Sequence, residues 1–344
     1  MIRRGLLCAL LAAAGSAAQD SRPHSRDAAP AGLRSEHHDH LDAFTGEWDV
    51  TSKVRGSETE AWREQSFAER DEWLANRLWL LTLVKGAGED GDYLGLGLTG
   101  YDTVADRYVG LWLDSGTGHL TRYVGSCAQS GKKLLMWDPE LPGNRIENEV
   151  RADGTLLART LAIDARKQQF LSAENTYARS DRFSRLDVKT RRQIATRTLE
   201  PYVGEFLATV RVFAAPGQEP VVSKGVMTNR VVCTADWLES RFAGQVLGVP
   251  MQGYGLIGFD GKTERWVGVW VDSTSTWLGI SAGKQLEGRR ALEFRGRVRG
   301  FDGVLRDQRA VTEVIDADQH TYTTYVVQAG AEQKTMEVTY TRQK

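Results

Sequence analysis

The chain has 344 residues, of which 41% are hydrophobic and 26% charged, enough for one or two ordinary globular cores. Lys and Arg number 44 against 45 Asp and Glu, so the formal net charge is −1. This balance supplies no overall field to attract nucleic acid or an anionic membrane surface, and we expect neither as a partner.

The N-terminus has the composition of an export signal. Arg3 and Arg4 precede a short apolar run at 6–14, and small residues follow at 16–18. This order predicts a cleaved secretory signal peptide over 1–18, because the apolar run is too short to span a bilayer. No later segment is apolar for long enough to be a transmembrane helix, so we expect a soluble periplasmic or secreted protein.

A histidine-rich stretch, EHHDH at 36–40, follows a polar segment at 19–35 that we expect to be disordered. His37 and His40 are three residues apart and would share a helix face, a workable spacing for metal ligands. The matching positions of the second half of the chain carry no histidine. We therefore predict no metal site, with His37 and His40 as the alternative.

A whole domain is duplicated. The segment LGLTGYDTVADRYVGLWLDS at 96–115 aligns without a gap with YGLIGFDGKTERWVGVWVDS at 254–273, an offset of 158 residues. Further matches before and after these segments keep the same order along the chain. The sequence thus predicts two repeats, at 36–179 and 199–344.

Residues 180–198 separate the repeats and are rich in Arg and Lys. Such a charge run is typical of a solvated linker, which here has some helical character. The alternative is a basic patch for an acidic partner.

The second repeat contains about ten segments that alternate in polarity and are bounded by Gly, Asp or Asn, as β-strands are. These segments are 207–213, 221–232, 237–247, 253–259, 265–272, 276–283, 291–299, 308–315, 320–327 and 334–342. So many short strands with tight turns predict an antiparallel meander that closes into a barrel, since closure removes exposed edges. Each repeat starts with a short helical signal that can cover one barrel end.

The order of motifs that the two repeats share is similar to that of a known family. Gly46-Glu47-Trp48 opens the first strand, and Trp-Leu-x-x-Arg, Gly-Tyr-Asp or Gly-Phe-Asp, Trp-x-Asp-Ser and a final Tyr-x-Arg follow. This pattern resembles the bacterial family catalogued as domain of unknown function 1579, which has calycin-like (lipocalin-like) barrels. The resemblance covers nearly all of the chain after residue 35 apart from the linker.

The resemblance implies a fold and a barrel floor, and it brings no activity. In calycin-like barrels the tryptophan closes the floor, and an arginine of the last strand packs over it. It therefore implies this structural role for Trp48 with Arg179, and for Phe206 with Arg342, where the smaller ring weakens the stacking. The expected class is all-β: two tandem up-and-down barrels of about ten strands, each with a short N-terminal helix.

The phrase Trp-x-Asp-Ser ends one strand in each repeat. Because side chains alternate along a strand, Trp112 and Asp114 share a face with Gly110, and Trp270 and Asp272 repeat this arrangement. Both faces carry apolar residues, so periodicity alone leaves the inward face open. We take the Gly-Trp-Asp face to point inward, where Trp and Asp would bind a ligand. The alternative is that the aspartates cap the following turns.

The cysteines and the remaining histidines indicate no cofactor. Cys127 and Cys233 could form a disulfide after export, and two separate buried thiols are the alternative. Some calycin-like barrels bind haem through an interior histidine, but His119 and His320 occupy different strands of the two repeats. We expect both to be surface or turn histidines.

Three functional classes remain. The first is an exported binding protein that holds a small apolar or amphipathic molecule in its barrels. The second is a structural or interaction protein with filled barrels and no ligand. The third is an uncharacterised enzyme, which the sequence disfavours because it has no Gly-x-Ser-x-Gly elbow and too few histidines for a shared catalytic triad.

Overall fold

The computed structural model contains two closed antiparallel β-barrels of ten strands each. It describes residues 33–344 apart from 89–90, 142, 187–197, 216, 234–236, 301–302 and 329. The predicted signal peptide and most of the polar segment after it lie outside the described residues. The predicted all-β class and the tandem barrel architecture are confirmed.

Each barrel is an up-and-down meander in which every strand pairs with its neighbours in sequence, and the last strand pairs with the first. The strands of the first barrel are β1 (Gly46–Val54), β2 (Arg63–Leu74), β3 (Trp79–Gly88), β4 (Gly91–Asp102), β5 (Arg107–Asp114), β6 (Thr121–Ala128), β7 (Lys133–Trp137), β8 (Arg145–Val150), β9 (Leu156–Ile163) and β10 (Gln169–Arg179). Those of the second are β11 (Gly204–Val212), β12 (Val221–Val232), β13 (Trp237–Val246), β14 (Val249–Asp260), β15 (Arg265–Asp272), β16 (Ser275–Gln285), β17 (Ala291–Arg299), β18 (Leu305–Val314), β19 (Gln319–Gln328) and β20 (Ala331–Arg342).

Short helices cover one end of each barrel. Helix α1 (Glu36–Asp39) and a 3₁₀ helix (His40–Phe44) precede β1, and a second 3₁₀ helix (Glu200–Tyr202) precedes β11. We call the end where these helices lie the capped end and the opposite end the distal end. No helix in the part of the chain that the structure describes has the length and hydropathy needed to cross a bilayer.

The Trp-x-Asp strands β5 and β15 are apolar on both faces because their outer faces are buried between the two barrels. Val109, Leu111 and Leu113 point out of the first barrel, and Val269 and Val271 point out of the second. These outer faces pack against each other in one buried cluster, which we call the inter-barrel interface. Its other large members are Leu78, Leu81, Leu96, Leu98, Leu120, Trp79, Trp237, Tyr254, Leu256 and Leu278. Both faces of β5 and β15 are therefore buried, one inside a barrel and one between barrels.

Polar contacts show that the barrels lie antiparallel. Thr103, at the capped end of the first barrel, shares a hydrogen bond of 3.0 Å with Thr276, at the distal end of the second. Conversely, His119 at the distal end of the first barrel contacts Asp260 at the capped end of the second. Each capped end thus lies beside the other barrel's distal end.

The start of the linker contacts the first barrel through Phe183, while Asp181 and Arg185 are exposed. Helix α2 (Arg182–Arg185) packs on β1 and β2, and Phe183 is only 3% exposed. The Lys85 ammonium lies 4.3 Å from the Phe183 ring, and Arg182 donates to Asp49 over 2.6 Å. The rest of the predicted linker, 187–197, lies outside the described residues.

Candidate functional site

At the capped end of each barrel an arginine lies over an aromatic ring. The guanidinium carbon of Arg179 lies 3.6 Å from the Trp48 ring centre, and the Trp48 indole donates to the Phe44 carbonyl over 3.0 Å. In the second barrel Arg342 lies 4.6 Å from the Phe206 ring centre and donates to the carbonyl of Val203 over 2.7 Å. The cation–π contact is longer over the smaller ring, and backbone hydrogen bonds hold the arginine there.

The Trp-x-Asp side chains lie on the inner faces of their strands. The Trp112 ring lies flat over Gly95 and Gly97 of β4, where a methyl group built on Gly95 would come within 2.6 Å of the ring. The indole N–H of Trp112 donates to Asp114 Oδ2 over 3.0 Å, and Trp270 makes the same bond of 3.0 Å to Asp272. The two glycines provide the space for the ring, and the aspartate fixes its orientation.

The same aspartates also cap the turns that follow. Asp114 Oδ1 accepts from the backbone N–H groups of Gly116 and Thr117, each over 2.8 Å. Asp272 Oδ1 accepts from the backbone and hydroxyl of Thr274. Both oxygens of each carboxylate are thus engaged by the protein at the distal end. The inward direction and the turn cap therefore coexist in both aspartates.

The interior of the first barrel contains a pair of carboxyl groups that the sequence analysis did not single out. The strand register places Glu69 opposite Trp48 and Asp71 opposite Gly46, so both side chains point inward near the capped end. Thr82 donates a hydrogen bond to Asp71. The Glu69 and Asp71 carboxyls are within hydrogen-bonding reach of each other.

Burial makes this pair hold protons unusually tightly. Burial is the main cause that raises the pKa of Asp71 to about 7, and the hydrogen bond from Thr82 opposes the rise. Burial, followed by the neighbouring Asp71 charge, raises the pKa of Glu69 well above its usual range. Two carboxyls this close in a low-dielectric interior cannot both ionise easily, so they share a proton near neutral pH.

The second barrel carries uncharged residues at the matching positions. Met227 and Asn229 replace Glu69 and Asp71 in the same register, opposite Phe206 and Gly204. The other interior residues of its buried cluster are Ala208, Val210, Phe242, Val338 and Tyr340, with Trp270, Tyr322, Met251 and Met336 packed against them.

Exposure distinguishes the two interiors further. Met227 and Val338 in the second barrel are 4% and 3% exposed. Their first-barrel counterparts Glu69 and Asn175 are half-buried, although they too point into a closed barrel. Ala158 stands where the second barrel has the much larger Tyr322. The difference is confined to these positions, since Trp112 and its counterpart Trp270 are both half-buried.

Sequence alternation does contain the signal for the acid pair. In β2, REQSFAERDEWL, the residues Phe67, Glu69 and Asp71 share one face. The matching face of β12 carries Met227 and Asn229. Aligning the two strands by sequence would have shown that the first repeat has carboxyl groups at these two positions. Because β2 contains so many charged residues, its sequence alone indicates a solvent-facing strand, and only the strand pairing shows which side chains point inward.

The histidines at 36–40 are engaged in packing. The His37 ring stacks on Tyr101 at 4.1 Å, and His40 Nδ1 shares a hydrogen bond of 2.9 Å with the Tyr108 hydroxyl. Among the described residues, no group of three or more His, Cys, Asp or Glu side chains is arranged to hold a metal ion. Nothing here supports His37 and His40 as metal ligands.

The expectation that His320 lies at the surface or in a turn is wrong. His320 is 4% exposed inside the second barrel and stacks on Tyr340 at 4.5 Å. Burial, aided by the Arg342 charge, lowers the pKa of His320 to about 4. His119 lies in the loop between β5 and β6 and is half-buried against Asp260.

The two cysteines are separate thiols. Cys233 is buried in the inter-barrel interface, and Cys127 is half-buried on β6 of the first barrel. Burial raises the pKa of both thiols. The disulfide alternative is therefore not the one the structure adopts.

Comparisons with known proteins identify one family. The sequence profile of the family described as "Protein of unknown function (DUF1579)" matches residues 34–147 and 192–342. No curated protein matches the sequence.

Solved structures give distant likenesses. Rv2717c from M. tuberculosis is 15% identical, with a TM-score of 0.33, over 43% of this chain and 99% of its own. A DUF3598 protein from Nostoc punctiforme is 11% identical, with a TM-score of 0.23, over 90% of this chain and 100% of its own. Transferrin Binding Protein B from Haemophilus parasuis is 8% identical, with a TM-score of 0.20, over 86% of this chain and 75% of its own.

Proposed function

The chain belongs to the DUF1579 family of proteins of unknown function, and from that premise we propose that it is an exported binding protein whose first barrel holds a small amphipathic molecule. Export is supported by the basic, apolar and small-residue order of residues 1–18. Binding is supported by one observation above all: the first barrel places the Glu69–Asp71 acid pair and the unpaired Asn175 Oδ1 in its interior, where the second barrel has Met227, Asn229 and Val338.

The interior of the first barrel suits a molecule with an apolar body and a hydrogen-bond donor. Trp112 and Tyr177 supply aromatic walls, and the Glu69–Asp71 pair supplies acceptor oxygens near the capped end. The Oδ1 atom of Asn175 is buried and has no hydrogen-bond partner. Unpaired acceptors in a partly apolar site favour a ligand that donates to them, because leaving such groups unpaired is costly.

The second barrel has a structural role in this proposal. Its interior is filled by Met227, Phe242, Val338 and their neighbours, and the ring of Trp270 packs in the same cluster. The proposed ligand site therefore includes Trp112, held in place by Asp114, and does not extend to Trp270 and Asp272.

The test uses N-phenyl-1-naphthylamine, a neutral probe with one N–H donor whose fluorescence rises in apolar surroundings. We expect saturable binding to the wild-type protein. Ala158→Tyr, which introduces the residue found at the matching position of the second barrel, should abolish it by filling the first barrel. Met227→Leu, a volume-conserving change inside the second barrel, is the matched control and should leave the probe affinity unchanged.

A second arm tests the acceptor pair. Glu69→Met should weaken binding of N-phenyl-1-naphthylamine, which donates a hydrogen bond, and leave binding of 1-phenylnaphthalene, which cannot, unaffected. Undiminished probe binding by Ala158→Tyr would place the probe outside the first barrel. That result, or an absence of binding to the wild type, would overturn the proposal.

A further inference from the structure

The second barrel contacts a loop at the distal end of the first. This segment, residues 114–120, joins β5 to β6, and we call it the mouth loop. It begins with Asp114, which fixes the Trp112 ring inside the barrel. It ends with His119 and Leu120, which face the capped end of the second barrel.

Asp260 of the second barrel is the residue that holds the mouth loop. Its Oδ2 atom accepts from His119 Nδ1 over 2.7 Å and from the backbone N–H of Leu120 over 3.3 Å. Its Oδ1 atom accepts from the backbone N–H groups of Lys262 and Thr263, so the carboxylate is fixed by its own turn. Asp260 is only 2% exposed, which makes hydrogen bonds to a charged acceptor strong and their loss expensive.

The contact has a mirror image. Asp102, the counterpart of Asp260, caps its own turn and pairs with Arg299 at the distal end of the second barrel. Beside it, Thr103 bonds Thr276 in the strand that follows the second barrel's own Trp-x-Asp turn. The duplication thus placed the aspartate of each Gly-Tyr-Asp or Gly-Phe-Asp motif against the distal end of the other barrel.

We propose that Asp260 is a positioning residue that clamps the mouth loop of the first barrel, so that the filled second barrel controls access to the interior of the first. This inference rests on the proposed function, since access matters only if the first barrel binds a ligand. Asp260 is connected to the barrel interior through few contacts. It binds His119 and Leu120 at one end of the mouth loop, and Asp114 at the other end binds Trp112. Loss of the clamp frees the loop at one end and leaves the barrel strands paired.

Hydrogen–deuterium exchange on the full-length protein tests the clamp without any ligand. His119→Ala removes the shorter of the two cross-barrel bonds to Asp260, keeps the longer one from the Leu120 N–H, and leaves the turn cap of Asp260 intact. We expect amide exchange in 115–121 to accelerate by roughly tenfold or more, with exchange in 48–54 unchanged. Thr103→Val, which removes the hydroxyl bond to Thr276 on the mirror side, is the matched control and should accelerate exchange near 273–277 and not in 115–121. Equal exchange of the mouth loop in His119→Ala and wild type would overturn the proposal, as would its equal loosening by both variants.

A kinetic arm connects the clamp to binding. The dissociation rate of N-phenyl-1-naphthylamine should increase several-fold in His119→Ala and stay at the wild-type value in Thr103→Val. If the probe fails to bind the wild-type protein, the proposed function falls, while the exchange measurement still decides whether Asp260 clamps the loop. Fast loop exchange with an unchanged dissociation rate would refute the control of access.

Discussion

Arg299 of the second barrel and Asp102 of the first form a two-bond ion pair at the inter-barrel interface. Nη1 donates to Oδ1 over 2.5 Å and Nη2 to Oδ2 over 2.9 Å, and the side chains are only 8% and 2% exposed. The Arg299 guanidinium also lies over the Trp277 ring at 4.6 Å. A pair with this geometry fixes how two apolar faces meet, because a shifted interface would leave both charges buried and alone.

Removing one partner of this pair should be severely destabilising. Asp102→Asn leaves Arg299 buried without a countercharge, and we expect it to lower the free energy of unfolding by about 3–5 kcal/mol. Urea unfolding at neutral pH measures the loss. The control is Asp181→Asn, since Asp181 and Arg185 form a pair that is 76% and 70% exposed. Exposed pairs contribute about 0–1 kcal/mol, so equal losses in the two variants would show that burial of the Asp102 pair is unimportant.

The glycines under the Trp-x-Asp ring give a second prediction. In Gly95→Ala the added methyl group would lie 2.6 Å from the Trp112 ring and 3.3 Å from Val84. The indole must therefore tilt and lose its bond to Asp114, which we expect to cost about 1–3 kcal/mol of unfolding free energy. Gly261→Ala is the matched control, because a methyl group there meets nothing within 4 Å. Equal stability of Gly95→Ala and Gly261→Ala would mean that the ring does not depend on the glycine.

Alternation along β5 was sufficient to place Trp112 and Asp114 on one face, since this is a local property of a strand. It could not decide which face was inside. Leu111 and its neighbours are buried against residues of the other repeat, about half the chain away, and a period of two cannot distinguish that interface from a barrel core. Choosing between the turn cap and an inward carboxylate was unnecessary, because Asp114 does both from the distal end.

The acid pair and the buried histidine escaped the sequence analysis for a related reason. Glu69, Asp71 and His320 are polar residues at positions whose burial depends on the register of a closed barrel. Composition makes such residues look exposed, because most Glu, Asp and His side chains are. The two repeats carry different residues at these sites, so matching segments between the repeats did not draw attention to them.

The acid pair predicts how stability changes above neutral pH. The folded pKa values of Glu69 and Asp71 are raised above their unfolded values, to about 7 for Asp71, so the folded state holds protons that the unfolded chain releases. Their stabilising contribution is complete below about pH 4 and is lost as the pH rises through 7. The double variant Glu69→Met, Asp71→Asn, which copies the second barrel, should therefore be more stable than wild type at pH 8 and show little difference at pH 4.

Unfolding midpoints measured from pH 4 to 8 check this prediction. Each pKa unit corresponds to about 1.4 kcal/mol, so removing the pair should flatten the profile by several kcal/mol. Glu64→Gln, on the exposed part of the same strand, serves as the control and should follow the wild-type profile. A parallel profile for the double variant would show that the two carboxyls titrate as they do in the unfolded chain. Met227→Glu should create the opposite change, with a loss of stability that grows above neutral pH.

His320 predicts the opposite dependence on the acid side. Its folded pKa of about 4 lies below the unfolded value of 6.5, because the imidazole is buried against Phe206 and Tyr340 with the Arg342 charge nearby. The folded state therefore favours the neutral ring. Its contribution to the free energy of unfolding is complete above pH 6.5 and is lost as the pH falls towards 4. His320→Leu, which copies Leu156 of the first barrel, should remove about 2 kcal/mol of the loss in stability between pH 7 and pH 5.

Chemical denaturation at the two pH values measures this difference directly. His320→Leu should still lose some stability between pH 7 and pH 5, because burial also lowers the pKa of His38 to about 4. The control is Tyr322→Phe, inside the same barrel, whose phenol does not titrate in this range because burial raises its pKa to about 12. Tyr322→Phe should lose stability between pH 7 and pH 5 in parallel with the wild type. If His320→Leu also runs parallel, the imidazole accepts a proton in the folded barrel as readily as in water, and the buried aromatic packing does not exclude the charge.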